Sequence, residues 1–170
     1  MGVGLRKVRG FTLIELLVVI VIIGIVVGFA TLGLGGDRRG DELEEESRRF
    51  AALLSLASEQ AVLRGEEWAV DLDEEGYGFL ALTDQGWQPV TLDPLWRERR
   101  FSRGTEIDLE LEGRELVLDP EAENEPVILL LSSGEISPFV ATFSARATER
   151  RYRVRANLLG ELQWEPVESL

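Results

Sequence analysis

A long apolar run dominates the N-terminal part of the chain. Residues 11 to 34 contain one ionisable side chain, that of Glu15, and the eight residues after it are all aliphatic. As a helix, a run of this length would extend about 36 Å, which exceeds the membrane hydrocarbon core of about 30 Å. The run therefore predicts a transmembrane helix over residues 11 to 34.

A second helix is predicted where apolar positions recur with a period of 3.6 residues. Asp41 and, three residues later, Glu44 form a capping-box pattern at its start, and Gly65 is a typical residue just beyond a helix end. The apolar stripe consists of Phe50, Leu53, Leu54, Ala57 and Ala61. The pattern predicts an amphipathic helix over residues 41 to 64, whose stripe needs a partner surface.

Beyond residue 65 the apolar period changes to two, which is typical of half-buried strands. Seven or eight short strands fit within residues 66 to 165. A continuous apolar run at residues 127 to 131 predicts a central strand, and residues 94 to 104, which have no clear period, are expected to form a loop or a short helix. The predicted fold class is α+β: a long N-terminal helix packed on an antiparallel β-sheet or β-sandwich.

Glycines occur within and after the apolar run. Gly24 and Gly28 are four residues apart, so they share a helix face on which another helix could approach closely. Glycine is also common in membrane helices generally, and both interpretations stay open. Gly33, Gly35 and Gly36 predict a flexible joint after the membrane helix, because glycine lowers helix stability in water.

Composition and charge exclude several classes of protein. The 170 residues carry a net charge of −13, which disfavours binding to phosphate backbones, so no nucleic-acid partner is expected. Because the chain has no cysteine and no histidine, it has no disulfide, lacks the usual zinc ligand and cannot form a Ser-His-Asp triad. Arg6, Lys7 and Arg9 precede the apolar run without any acid, which favours a cytoplasmic N-terminus.

Three local patterns resemble binding or catalytic sites without completing one. Residues 71 to 76 look like the opening of a calcium loop, but the acid needed at position twelve falls on Leu82, and a hairpin turn explains the same residues. Arginines cluster between Trp96 and Arg103, where a plain surface loop or an acidic protein partner is favoured over nucleic acid. No spacing singles out a catalytic carboxylate pair. No catalytic residue, metal site or cofactor is predicted.

The start of the apolar run carries a specific string, Gly-Phe-Thr-Leu-Ile-Glu, at residues 10 to 15. It follows a basic leader and resembles the processing site of the type IV pilin superfamily. A secretory signal peptide usually has an apolar core of about 7–15 residues and a small-residue cleavage site, which fits less well. An ordinary membrane anchor with a stray Glu15 is the remaining alternative. The resemblance implies cleavage by a prepilin peptidase between Gly10 and Phe11, N-methylation of Phe11, and pairing of Glu15 with the N-terminal amine of a subunit during assembly.

The body of the chain resembles one branch of that superfamily, the H-type minor pseudopilins of the type II secretion system. The resemblance rests on residues 50 to 65 of the second helix and on Gly76 to Leu80 and Gly86 to Pro89 in the first strands. Ser133 to Phe139 and Leu159 to Leu162 add to it. It implies a leader at residues 1–10, a membrane and filament-core helix at residues 11–34, and a periplasmic domain at residues 35–170.

The function that this resemblance implies is structural rather than enzymatic. The protein would be a single-pass subunit of the bacterial inner membrane, with its C-terminal domain in the periplasm, and would join the pseudopilus near its tip. Its partners would be the other minor pseudopilins, the major pseudopilin and the prepilin peptidase. The filament would assist export of folded proteins across the outer membrane. A minor pilin of a type IV pilus or DNA-uptake system is the alternative, and a membrane-anchored enzyme is a third.

Overall fold

A computed structural model describes residues 13–33, 37–91, 93–118 and 125–167. The chain divides into two compact units, residues 1–38 and residues 39–170. The predicted leader, residues 1–10, lies outside the described residues, as do Gly35 and Gly36 of the predicted joint.

The N-terminal unit contains helix α1, Leu13–Gly33, which has 21 residues. Its side chains are described from residue 13 to residue 25, and all of them are exposed. A helix that is apolar on every side is normally covered by other apolar groups. No helix in the described part of the chain is long and apolar enough to cross a membrane, and the predicted span over residues 11 to 34 stays a prediction.

Helix α2, Arg38–Arg64, begins three residues before the predicted start and ends where predicted. Asp41 therefore lies in the first turn and is not the N-cap. At the other end Gly65 adopts a φ of 63°, a left-handed conformation that favours glycine. The N–H of Glu66 donates to the carbonyl of Ala61 at 3.1 Å, and that of Gly65 to Val62 at 3.3 Å. These two bonds form a Schellman motif, which confirms the predicted C-cap.

The described residues of the second unit form ten strands, so the prediction of seven or eight was too low. In chain order they are β1 Trp68–Leu72, β2 Gly76–Thr83, β3 Gly86–Pro89, β4 Arg99–Arg100, β5 Thr105–Leu111, β6 Arg114–Leu116, β7 Ile128–Leu130, β8 Phe139–Ala145, β9 Arg151–Ala156 and β10 Leu162–Val167. A short 3₁₀-helix, Pro94–Trp96, lies between β3 and β4.

The strands form two five-stranded sheets in which every pairing is antiparallel. Sheet A has the order β3-β2-β1-β7, with β4 also paired to β2, and sheet B has the order β10-β9-β8-β5-β6. Strands β3 and β4 pair with different parts of β2, at Leu80–Thr83 and at Gly76–Tyr77. A Cβ at Gly76 would lie 2.2 Å from the carbonyl oxygen of Arg99, so this approach of β4 requires glycine.

The prediction of a central strand at residues 127 to 131 was wrong, because β7 is the last strand in the order of sheet A. Its outer edge is nevertheless covered. Leu130 forms a bridge with Ile136, and the N–H of Ser137 donates to the carbonyl of Leu129 at 3.0 Å. Ile128 and Leu130 are fully buried, which explains why an edge strand has the apolar character of a central one.

The core forms where the apolar stripe of α2 contacts both sheets. All five predicted stripe residues are buried, and Leu43 and Ser47 extend the buried face toward the start of the helix. The ring centroid of Phe50 lies 4.9 Å from that of Tyr77 in sheet A and 5.5 Å from that of Phe143 in sheet B. The α+β prediction is confirmed, with α2 as the helix that packs against the strands.

Substitution of Phe50 tests this packing. The side chain is fully buried, and truncation of a buried phenylalanine alone costs about 3–5 kcal/mol. Phe50→Asp adds an unpaired charge to the core, so the free energy of unfolding should fall by at least that amount. Thermal and urea unfolding of the purified chain in detergent, followed by circular dichroism, measure the change.

Leu63→Asp is the matched control, because Leu63 lies on the same helix and is 77% exposed. It should change the stability by about 0.5 kcal/mol or less. Equal unfolding midpoints for Phe50→Asp and the parent would show that the stripe is placed wrongly.

Candidate functional site

The predicted site residues lie in or before α1. Gly10 and Phe11 are outside the described residues. Glu15 lies in the first turn of α1 and its side chain is exposed among exposed aliphatic neighbours. Gly24 and Gly28 both lie within the helix, and a Cβ at Gly24 would meet nothing within 4 Å. Among the described residues, nothing therefore occupies the space beside Gly24, and the predicted helix contact at Gly24 and Gly28 stays a prediction.

Glu15 is the only ionisable residue among the described residues of α1. A carboxylate at such a position resists transfer into an apolar environment unless a cation accompanies it. When other apolar groups cover the surface of α1, the Glu15 carboxylate therefore favours a positively charged partner.

A polar contact fixes the first half of α2 against the segment before β5. Glu46 accepts hydrogen bonds from the backbone N–H of Ser102 at 2.7 Å and from the Thr105 hydroxyl at 3.0 Å. Arg39 donates to the carbonyl of Ser102 at 3.2 Å and to that of Arg103. Thr105 is buried, so its bond to Glu46 satisfies a hydroxyl that is largely shielded from water.

A second contact joins α2 to the last two strands. The indole N–H of Trp164 donates to the Ser47 hydroxyl at 2.9 Å, and that hydroxyl donates to the carbonyl of Glu44 at 3.0 Å. The guanidinium of Arg48 lies 3.7 Å from the Trp164 ring centroid, a distance typical of cation–π contacts. The Tyr152 hydroxyl donates to Glu44 at 3.1 Å. Ser47 was not among the predicted stripe residues, and its position three residues before Phe50, in line with the stripe, is the sequence signal that could have indicated this contact.

Both tyrosines of the chain are neutral at physiological pH. Burial raises the pKa of Tyr77 to about 12, although Arg99 and Arg49 act in the opposite direction. Burial also raises the pKa of Tyr152, and its hydrogen bond to Glu44 acts in the same direction. Neither phenol is therefore tuned for proton transfer near neutral pH.

The acidic string at residues 71 to 76 forms the turn between β1 and β2. Asp73 accepts from the backbone N–H groups of Glu75 and Gly76 at 2.6 Å and 2.7 Å. This is an Asx-type turn, in which the carboxylate satisfies backbone donors. Among the described residues, no group of three acids is arranged to hold a metal ion.

The predicted arginine cluster borders a cleft of about 760 Å³ on sheet A. Two arginines of the cluster are bonded to neighbouring groups of the same chain. Arg100 pairs with Glu75 at 3.2 Å, and Arg99 donates to the carbonyl of Leu95 at 3.1 Å. The lining includes the carboxylates of Asp73, Asp93 and Glu98. The cluster therefore holds the segment around the 3₁₀-helix in place and does not form a continuous basic surface.

Comparison with protein families matches two parts of the chain. The family described as type II transport protein GspH matches residues 46–160. The prokaryotic N-terminal methylation motif matches residues 5–31, a range that includes the string at residues 10 to 15.

Individual proteins and structures agree with these matches. The chain is 36% identical over 157 residues to type II secretion system protein H of Pseudomonas aeruginosa, covering 86% of this chain and 89% of that protein. It is 32% identical over 171 residues to the protein of the same name in Aeromonas hydrophila, covering 93% of each. The crystal structure of the minor pseudopilin EpsH from the type II secretion system of Vibrio cholerae matches with a TM-score of 0.64 and 30% identity, covering 76% of this chain and 97% of that one. The chain therefore belongs to the GspH family, the H-type minor pseudopilins that its second helix and first strands resemble.

Proposed function

We propose that the chain is a structural subunit of the type II secretion pseudopilus, located near the filament tip, where it assists export of folded proteins across the outer membrane. The observation that supports this most strongly is α1, whose described side chains are all exposed and all apolar except that of Glu15. Such a surface is not stable in water. A membrane before assembly, and the helices of neighbouring subunits after it, would cover this surface.

The division of the chain follows the same proposal. Residues 1–10 act as a leader, residues 11–34 as the membrane and filament-core helix, and residues 35–170 as a periplasmic domain in which α2 and the two sheets form their own core. The matching family is described as type II transport protein GspH, which supports a structural role rather than an enzymatic one for this chain. Its partners would be the other minor pseudopilins, the major pseudopilin and the prepilin peptidase, at the inner membrane.

Deletion of the gene in its own bacterium tests the proposed function. Proteins exported by the type II pathway should accumulate in the periplasm and disappear from the medium, and the parent gene supplied in trans should restore export. Pilus-dependent motility and DNA uptake should be unchanged. Normal export with loss of pili or of DNA uptake would instead favour a minor pilin of a type IV pilus system.

Processing at Gly10 is the first prediction for this site. The mature chain should begin at Phe11 and carry one methyl group on its amine. Gly10→Leu should block cleavage, because a bulky residue replaces glycine at the cut, and leave the full chain in the membrane. Intact-mass measurement after co-expression with the prepilin peptidase distinguishes the two forms.

Gly4→Leu is the control for a change elsewhere in the leader, and it should be cleaved normally. A parent chain that retains residues 1–10 in the presence of active peptidase would contradict the proposed processing.

Replacement of Glu15 tests its role in assembly. A model α-amine has a pKa of about 7.7–8.0, so the amine of Phe11 is largely cationic at neutral pH. If Glu15 pairs with it inside the packed helices, Glu15→Leu leaves that cation without a partner, at a cost of about 3–5 kcal/mol for a buried pair. The variant should be processed and membrane-resident but should enter the pseudopilus poorly.

Crosslinking to partner pseudopilins measures entry, and membrane fractionation measures insertion. Glu15→Asp, which keeps the charge, should retain more assembly than Glu15→Leu. The pairing role is refuted if Glu15→Leu crosslinks to its partners and supports secretion as the parent does.

A further inference from the structure

The outer face of sheet B carries an ordered pattern of charge that the proposed function does not use. Buried side chains of β8 such as Phe143 point toward α2, so Val140, Thr142 and Ser144 lie on the opposite face. In the strand register, Thr142 is paired with Arg153 on one side and with Asp108 on the other. Each such row across three strands is called a rung here.

The same order is repeated in the neighbouring rungs. Val140 stands between Arg155 and Glu110. Ser144 is paired with Glu106, and Arg151 lies two residues before Arg153 on the same face of β9. An arginine row on β9 and an acidic row on β5 are thus separated by a row of small or neutral side chains on β8.

Glu106, at one end of the acidic row, pairs with Arg146 at 2.8 Å, but the described residues supply no such cation at the centre of the row. Asp108 and Glu110 form no ion pair with the described residues, and Glu110 is paired directly with a like charge, Glu115 of β6. Like charges placed directly opposite each other are unfavourable. The arginines turn away from the acidic row. The guanidinium nitrogens of Arg153 and Arg155 lie 3.5 Å and 3.9 Å from the carboxylate oxygens of Glu165 on β10.

We propose that this face binds a second copy of the chain. Consider a rotation of 180° about an axis that runs parallel to the strands and lies above β8. This rotation exchanges the arginine and acidic rows, and each rung keeps its position along the strand direction. Arg153 of one copy then stands over Asp108 of the other, and the reverse pair forms at the same time. A two-fold contact has this self-complementary property.

The side-chain sizes fit this arrangement. Packed sheets lie about 10 Å apart, a gap that long arginine and carboxylate side chains can bridge at the flanks while the small side chains of β8 face each other. Because packed sheets cross at about 30°, the outer rungs diverge and the central rung is matched best. Strand spacing and rise give an area on the order of 500 Å² per copy, less than the roughly 800 Å² of a standard interface. The contact is weak and would act between membrane-confined subunits.

The dimer would be a form of the subunit outside the filament, a consequence that rests on the proposed function. A closed two-fold contact does not propagate into a filament. Dimerisation through sheet B and assembly into the pseudopilus would therefore compete for the same chain wherever a filament neighbour covers this face.

Thiol crosslinking tests the two-fold contact, since the chain has no cysteine. Thr142→Cys places one thiol beside the proposed axis. A short bismaleimide is suitable, because the sheets would lie too far apart for a disulfide, whose Cα atoms are at most about 6.8 Å apart. In membranes containing the full chain without other pseudopilins, Thr142→Cys should yield a crosslinked dimer. Ser55→Cys, at an exposed position of α2, should yield only background.

Charge reversal identifies the pairs. In the Thr142→Cys background, Asp108→Arg alone and Arg153→Asp alone each put like charges face to face and should lower the dimer yield about tenfold or more. A mixture of the two variants, tagged to differ in size, should restore the dimer yield in the form of heterodimers. In a heterodimer, opposite charges again face each other at both contacts between positions 108 and 153. Loss through misfolding would not be restored by mixing.

A rise in salt should also weaken the dimer, because screening shortens the range of charge interactions from about 10 Å at 0.1 M to about 3 Å at 1 M. The proposal is overturned if Thr142→Cys crosslinks no better than Ser55→Cys, or if neither charge reversal changes the dimer yield. It is also overturned if mixing the two variants does not restore that yield.

Discussion

Burial of the apolar stripe of α2 between the two sheets holds the second unit together. Phe50 contacts aromatic rings from sheet A and from sheet B, so the helix joins sheets that share no strand. Without it each sheet would expose one apolar face. The polar bonds of Glu46 and Trp164 then fix the position of the helix along the sheets.

The two units of the chain differ in where their apolar side chains lie. The second unit places its apolar side chains inside and its many charges outside, as a stable domain does. In α1 the apolar side chains are on the surface, which is acceptable only where membrane lipid or other helices cover them. The proposed function connects these two observations, because a membrane-anchored filament subunit would need both a domain that folds in water and a helix that other apolar groups cover.

Local periodicity was sufficient to predict the α2 stripe, most strands and the Gly65 cap, since each depends on neighbouring residues. It did not reveal the earlier start of α2, where Gly40 is buried and packing outweighs the low helix propensity of glycine. Nor did it reveal β4 or the edge position of β7, because both depend on pairing between distant residues. The bond from Trp164 to Ser47 spans 117 residues. Gly10 and Phe11 lie outside the described residues, so the predicted cleavage between them rests on the sequence.

The proposed function makes this chain a minor subunit near one end of a secretion filament. Immunogold labelling of isolated pseudopili with antibody against residues 39–170 tests it most directly. Gold is expected at a single end of each filament, with none along the shaft, and this label should be absent from filaments of a strain lacking the gene. Label distributed along the whole shaft, or filaments that never carry the chain, would contradict it.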